Sequence, residues 1–268
     1  MDFLRSFSFG QYVPVDSVIH RLDPRTKILA TLVLAVVVFL ARGLAGLAAV
    51  AVLIALIVLA SRIPPGYVVR GLRPVFWLVA LTVVLQIVFG QAGGHPVFHR
   101  GPITITRGNL MLGLFYGAQL ALLIVATSLM TFTTSPVELT DGLERLLRPF
   151  RRIGVPAHEL ALMMTIAIRF IPTLAEETDK IMKAQMVRGA EFTRGSIVTR
   201  ARSLVPLLVP LFVGAFRRAE ALALAMEARG YRGGDGRTRM RELVLRPRDY
   251  AAFVLLALVV ALLAVRTW

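Results

Sequence analysis

The chain has 268 residues, 56% of them hydrophobic, with a formal net charge of +15 and a mean hydropathy of +0.71. Apolar content this high, gathered in long runs, excludes an ordinary soluble domain and identifies a polytopic membrane protein. Cysteine is absent, which excludes a disulfide framework or thiolate metal site; on a membrane protein the positive charge points to cytoplasmic segments near anionic lipid or acidic partners, not to nucleic acid.

The amino-terminal residues are polar and mixed, without the order of a cleaved signal peptide. They end in His20-Arg21-Leu22-Asp23-Pro24-Arg25-Thr26-Lys27. Asp23 before Pro24 is a helix-start signal: the carboxylate accepts from a free backbone N–H, and proline at the first helical position loses no hydrogen bond. The apolar stretch from Ile28 to Ala60 is too long for one span. It predicts two short spans, Pro24–Ala41 and Gly43–Ser61, with a tight turn at Arg42-Gly43; one long tilted helix is the weaker alternative. Arg62, Pro64, Pro65, Arg70 and Arg73 predict a basic loop, followed by a third span over Pro74–Gly90. Residues Gln91–Arg107, rich in glycine and proline with a β-branched run at Ile103–Thr106, predict an exposed loop or short hairpin. A fourth span covers Asn109–Phe132.

Ser135-Pro136-Val137-Glu138 then has the form of a capped helix start. Leu139, Leu143, Leu146 and Leu147 share one face, which predicts a short amphipathic helix at the membrane surface. A final span over Asp249–Val265 closes the chain. The expected domains are residues 1–134 (amino-terminal segment and four-span bundle), 135–247 (cytoplasmic helices) and 248–268 (last span). With the amino terminus inside, all but four of the 31 lysines and arginines are cytoplasmic, the exceptions being Arg42, Arg100, Arg107 and Arg266. That bias fixes the orientation.

Two long arms fill the cytoplasmic region. The first runs from Ala157 to Gly189 and closes on Val187-Arg188-Gly189; the second runs from Ser196 to Gly230 and closes on Ala228-Arg229-Gly230. The spacing that separates Arg188 from Arg229 also separates Glu176 from Arg217 and Glu177 from Arg218. Glycine after the last helical residue is an ordinary carboxyl cap, and arginine in the last turn suits the helix dipole. Two matched copies point further, to docking tips whose guanidinium forks meet carboxylates or helix ends on a partner. The opposed charges at equal distance from each tip predict a contact between the arms. Arg169 and Pro172 interrupt the first apolar block, and Pro206 and Pro210 bend the second. Each block is read as too short to cross a bilayer, so each arm is expected to start in or against the membrane and end in the cytoplasm.

Catalytic patterns are missing. No lysine follows a glycine, so there is no phosphate loop. His20, His95, His99 and His158 form no zinc pattern, and His95 and His99 sit in a predicted loop. The spans lack interior carboxylates, which a proton-coupled carrier would need.

These residues resemble a known family. His20 to Lys27, then Arg169-Phe170-Ile171-Pro172 with Glu176-Glu177 and Ala184-Gln185, then Arg217-Arg218-Ala219-Glu220 leading to Ala225-Met226-Glu227-Ala228-Arg229-Gly230-Tyr231, look like the transmembrane T component of energy-coupling factor (ECF) transporters, EcfT, a CbiQ- and BioN-like family. The resemblance runs over nearly the whole chain in motif order. Its paired Ala-Arg-Gly motifs fall on Val187-Arg188-Gly189 and Ala228-Arg229-Gly230; Val187 departs, alanine being usual there. The motif around Asp23, Pro24 and Arg25 is also shared.

The resemblance implies an all-α membrane protein of about five transmembrane helices, an amphipathic helix and two long, bent, crossed cytoplasmic coupling helices. It implies a non-catalytic scaffold of a prokaryotic cell-membrane importer of a vitamin or trace metal. Two ATP-binding-cassette ATPases, EcfA- and EcfA′-like, would bind ATP and magnesium and take the two arginine tips; this chain would hold no cofactor of its own. A membrane S component would capture the substrate and pack on the membrane side of the arms. Glu176, Glu177, Arg217 and Arg218 would couple the two helices. The competing readings are a secondary carrier binding substrate within its spans and a membrane docking scaffold without transport.

Overall fold

The computed structural model describes residues 12–90, 93, 96–100, 103–190, 197–233 and 244–267. The described residues pack as two units: one within residues 12–142 with 244–267, the other within residues 143–233. The helix that spans their sequence boundary contributes to both.

The first unit is a helical bundle. It holds α1 (Pro24–Leu40), α2 (Gly43–Ser61), α3 (Pro65–Leu72), a 3-10 turn (Arg73–Val75), α4 (Phe76–Phe89), α5 (Arg107–Thr133), the start of α6 (Pro136–Leu147) and, from the far end of the chain, α9 (Pro247–Thr267). A two-stranded antiparallel hairpin, β1 (Pro96–Arg100) and β2 (Ile103–Thr106), precedes α5. The described residues are thus almost wholly helical. Among the described residues, four helical stretches are long and apolar enough to cross a membrane: Gly43–Ser61, Pro65–Phe89, Arg107–Thr133 and Ala157–Val187.

Alpha1 and α2 separate where Ala41 and Arg42 turn extended and Gly43 adopts φ +69°, a conformation that costs glycine little. One face of α1 (Leu34, Val37, Val38, with Ala41 following) meets Val50 and Ile54 of α2 and Ala126, Leu129 and Phe132 of α5. The spacing of three and four residues on each helix is that of a single buried stripe. The opposite faces, such as Leu32, Val36 and Phe39 on α1, lie exposed and suit lipid.

Alpha4 and α5 approach closely through glycine. A Cβ at Gly117 would stand 2.4 Å from Val83 Cγ2, and one at Gly113 would stand 3.0 Å from Ile87 Cγ1. Two small residues four apart let helix backbones pack at short range in a membrane.

Helix ends in the bundle are closed by buried polar side chains. Asn109 Nδ2 donates to Gly90 O at 2.7 Å, at the end of α4. Gln119 Nε2 donates to Val38 O at 2.8 Å, a carbonyl left without a helical partner because α1 stops two residues later. In lipid an unpaired backbone group costs several kcal/mol, so such caps are demanded by the solvent.

Two expectations need correction. The basic stretch is a turn only over residues 62–64: Pro65 occupies the first position of α3, and Arg70 lies on that helix with its guanidinium 5.7 Å from the Tyr67 ring centre. The span therefore begins near Pro65, not Pro74. The first arm is likewise unbroken: α7 (Ala157–Val187) carries Pro172 inside it, and because it runs through Arg169 and Pro172 it contains an 18-residue window apolar enough to span.

The second unit contains the end of α6, a 3-10 helix (Arg148–Ile153), α7 and α8 (Ile197–Ala228). Ser196, the expected start of the second arm, and His95 lie outside the described residues, as do Gln91 and Gly94.

Candidate functional site: the paired arms and the amino-terminal knot

Within the bundle, the amino-terminal motif is a buried polar knot. Asp23 Oδ1 accepts from Arg25 N at 2.9 Å, and Arg25 Nε lies 3.5 Å from the same oxygen. Asp23 N donates to Asp249 Oδ1 at 2.8 Å, and Asp249 Oδ2 accepts from Arg246 N at 2.8 Å. Asp249 therefore caps its own helix, α9, and the entry of α1 together. Lys27 Nζ donates to Thr133 O at 2.8 Å and to His20 O at 3.0 Å, placing its charge at the carboxyl end of α5, where the helix dipole favours a cation. Pro24 is fixed by Gly142 of α6, where a Cβ would come 2.9 Å from Pro24 Cβ. Asp23, Asp249 and Lys27 thus join the starts of α1 and α9 to the end of α5.

The segment before the knot folds back locally. His20 Nε2 lies 3.0 Å from Val13 O and Nδ1 2.7 Å from Ser17 Oγ. Burial pushes the imidazole pKa below its usual value, against the opposing pull of the Val13 carbonyl, and the nearby Lys27 charge lowers it further. Asp16 is held below the usual carboxylate range by its hydrogen bond to Arg21 and then by that residue's charge.

In the second unit, α7 and α8 pack antiparallel. Gln185, near the end of α7, reaches Pro206 O, early in α8, at 3.5 Å. Glu177 faces Gly214, and a Cβ at Gly214 would stand 2.9 Å from Glu177 Oε1. Ile166, Phe170 and Leu174 line a cavity of about 290 Å³ with Ala219, Leu222 and Met226. His158, at the start of α7, lies beside Tyr231, just beyond α8. Facing positions and matched positions coincide near Ala175 and Phe216, so the pair has an approximate two-fold relation about that point.

This arrangement alters the expected arms. The apolar first half of α7 lies beside the charged second half of α8, so the two apolar halves form no common root. The tips emerge at opposite ends of the pair. Each arginine lies about 13 residues beyond the two-fold point, which separates the tips by on the order of 40 Å at 1.5 Å per residue.

Both tips are built alike. Gly189 N donates to Met186 O at 3.0 Å and Ala190 N to Gln185 O at 2.9 Å; Gly230 N donates to Glu227 O at 2.8 Å and Tyr231 N to Met226 O at 3.0 Å. With φ of +88° at Gly189 and +71° at Gly230, these are two Schellman caps. Arg188 and Arg229 occupy the cap residue itself, and both are exposed. Val187 is 90% exposed, and Ala228 is exposed too. Of the four predicted inter-arm charges, the fold joins Glu177 and Arg218, with Arg218 Nη2 2.5 Å from Glu177 Oε2. Glu176 and Arg217 are exposed and stand outside that pair. Gly214 makes room for the Glu177 carboxylate.

Lys27, Asp249 and Gly214 carry this geometry without having been singled out from the sequence. Asp249 stands in the first turn of the last span, but its partner Asp23 is at the other end of the chain, and no local pattern joins them. Among the described residues no group of three or more histidine, aspartate or glutamate side chains is placed to hold a metal.

These features define a multi-pass helical membrane protein whose distinctive surface is a pair of arginine-bearing helix ends. The cobalt transport protein family, CbiQ, matches residues 16–240. The chain is 57% identical over 251 residues to the energy-coupling factor transporter transmembrane protein EcfT of Thermosediminibacter oceani, covering 94% of each chain. It is 50% identical to EcfT of Clostridium kluyveri, over 99% of this chain and 98% of the relative, and 47% identical to EcfT of Bacillus subtilis, over 96% and 97%. The chain belongs to the EcfT family: it is a non-catalytic transmembrane scaffold subunit of an ECF-type transporter.

Proposed function

We propose that the chain converts the motion of two cytoplasmic ATP-binding-cassette ATPases into uptake of a vitamin or trace metal held by a separate membrane S component. One ATPase docks on Val187-Arg188-Gly189 and the other on Ala228-Arg229-Gly230. The observation that carries this reading is the pair of like-built caps at opposite ends of an antiparallel helix pair. Two similar partners related by a two-fold axis meet such a pair in equivalent ways, each offering acceptors to one guanidinium fork. The ATP and magnesium belong to those partners.

In this reading the amino terminus is cytoplasmic, the spans are α1, α2, α3 with α4, α5 and α9, and α7 and α8 cross at the cytoplasmic surface as coupling helices. Alpha7 lies there and does not span, because it pairs with α8 along its length and carries Glu176, Glu177, Asp179, Lys180 and Lys183. The exposed apolar face of α8, with Leu204, Leu208 and Phe212 four residues apart, supports contact with the S component and lipid. The Glu177–Arg218 pair and Gly214 hold the two helices at their two-fold point, so that motion at one tip reaches the other. The Asp23–Arg25 knot fixes the bundle.

The test is capture of the ATPases by the tagged full-length chain from its native membrane. Arg188→Glu and Arg229→Glu should each lose capture of one ATPase and abolish uptake while insertion stays normal. Retention of both ATPases by the double variant would sink the docking reading.

A further inference from the structure

Among the described residues, the two tips share a cap, but a side-chain support stands only behind the second. Tyr231, the residue after the cap glycine of the second tip, places its hydroxyl 3.4 Å from His158 Nε2. His158 Nδ1 lies 3.2 Å from Glu144 Oε1, with 26% of the histidine side chain and 12% of the glutamate exposed. The carboxylate accepts from Nδ1–H, which leaves Nε2 to accept from the phenol O–H. One chain of contacts thus runs from α6 through the start of α7 to the far side of the Arg229 cap. The position matched to Tyr231 at the first tip is Ala190, whose methyl group has no hydrogen-bonding atom, and the position matched to His158 is Thr199. The first tip also carries valine where the second carries alanine, with Val187 almost fully exposed.

We propose that Glu144, His158 and Tyr231 are positioning residues that brace the second tip, making the Arg229 post fixed and the Arg188 post adaptable. The two posts are therefore not equivalent, and the scaffold distinguishes its two ATPase partners by the stiffness of the surface it offers each. A fixed arginine loses less orientational freedom on docking; an adaptable one follows its partner through a larger excursion. The assignment of partners rests on the docking function above, but the stiffness difference belongs to this chain alone.

The chain lacks cysteine, so single reporters are simple to place. Ala184→Cys and Ala225→Cys occupy matched exposed positions in the last turns of α7 and α8. Spin labels there are read in the purified full-length protein. The label at 225 should be the less mobile; Tyr231→Phe and His158→Ala should raise its mobility and leave the label at 184 unchanged, which also controls for folding. His158→Gln, whose amide can meet both neighbours, should restore the lower mobility. Equal mobility at the two positions, or an equal response to Tyr231→Phe, overturns the brace. In the Arg188→Glu background, where one post remains, Tyr231→Phe should weaken ATPase capture ~5-fold, the factor one hydrogen bond typically contributes. In the Arg229→Glu background it should have no effect, and an equal loss in both backgrounds also overturns the brace. Capture by the Arg188→Glu, Arg229→Glu double variant defeats the docking function and leaves the mobility result to decide the brace.

Discussion

His20 and the Glu177–Arg218 pair show how single side chains set the geometry. Burial disfavours the charged form of His20, so its folded-state pKa lies below the ordinary 6.5. Between those two values the unfolded chain binds a proton that the folded chain does not, and stability falls as pH drops through that window. Above about pH 6.5 the contribution is complete. Thermal unfolding in detergent at pH 5.5 and 7.5 should show a loss at the lower pH that His20→Gln reduces. Asp16 behaves as a separate carboxylate step: with its pKa depressed from 3.8, its stabilisation is present above that value and disappears below it, outside the histidine window. The Glu177–Arg218 pair is about a third exposed, so its coupling is on the order of 1 kcal/mol or less. Glu177→Lys should lower uptake, and adding Arg218→Glu should recover it. Failure of that exchange to recover any activity would remove the pair from the coupling path.

At the scale of elements, the features legible in the sequence were those set by neighbours in the chain. Ser135 and Glu138 form the expected capping box, with Glu138 N donating to Ser135 Oγ at 3.2 Å and Ser135 N to Glu138 Oε2 at 3.4 Å. Asp23 caps α1, and the break at Arg42-Gly43 divides α1 from α2. The β-branched run Ile103–Thr106 forms one strand of a hairpin. Alpha3 was hidden because arginines and a double proline resemble a loop, although proline at the first position begins a helix as readily as it ends one. The packing of α4 on α5 was equally silent, since Gly113 and Gly117 announce small size but not a partner. That contact gives a direct prediction. Gly117→Leu forces its side chain into Val83, whose Cγ2 is already 2.4 Å from an ideal Cβ, and overpacking of this kind costs about 1–3 kcal/mol. The expected result is a lower yield of monodisperse protein and a lower unfolding temperature, while a Leu44→Ala control on an exposed face leaves both unchanged.

At the scale of the molecule, repetition in the sequence named the two tips but left their relative direction open. Matched helices with matched ends are compatible with arms that run side by side, tips together, or in opposite senses, tips apart. Opposed charges at equal distance from each tip predict a contact where the arms cross, but not the sense in which each runs. Packing favours the second: Gln185 meets Pro206, Glu177 meets Gly214, and His158 meets Tyr231, a series that only antiparallel helices provide. The difference matters for coupling, because tips held together address one partner surface, whereas tips held apart address two. Spin labels at Val187→Cys and Ala228→Cys in the full-length protein separate these outcomes by dipolar distance. Antiparallel arms place the labels on the order of 40 Å apart, from about 1.5 Å of rise per residue over the length between the tips. A distance below about 20 Å would return the arms to a common root at that rise, and with it would go the two-fold presentation on which docking of two ATPases rests.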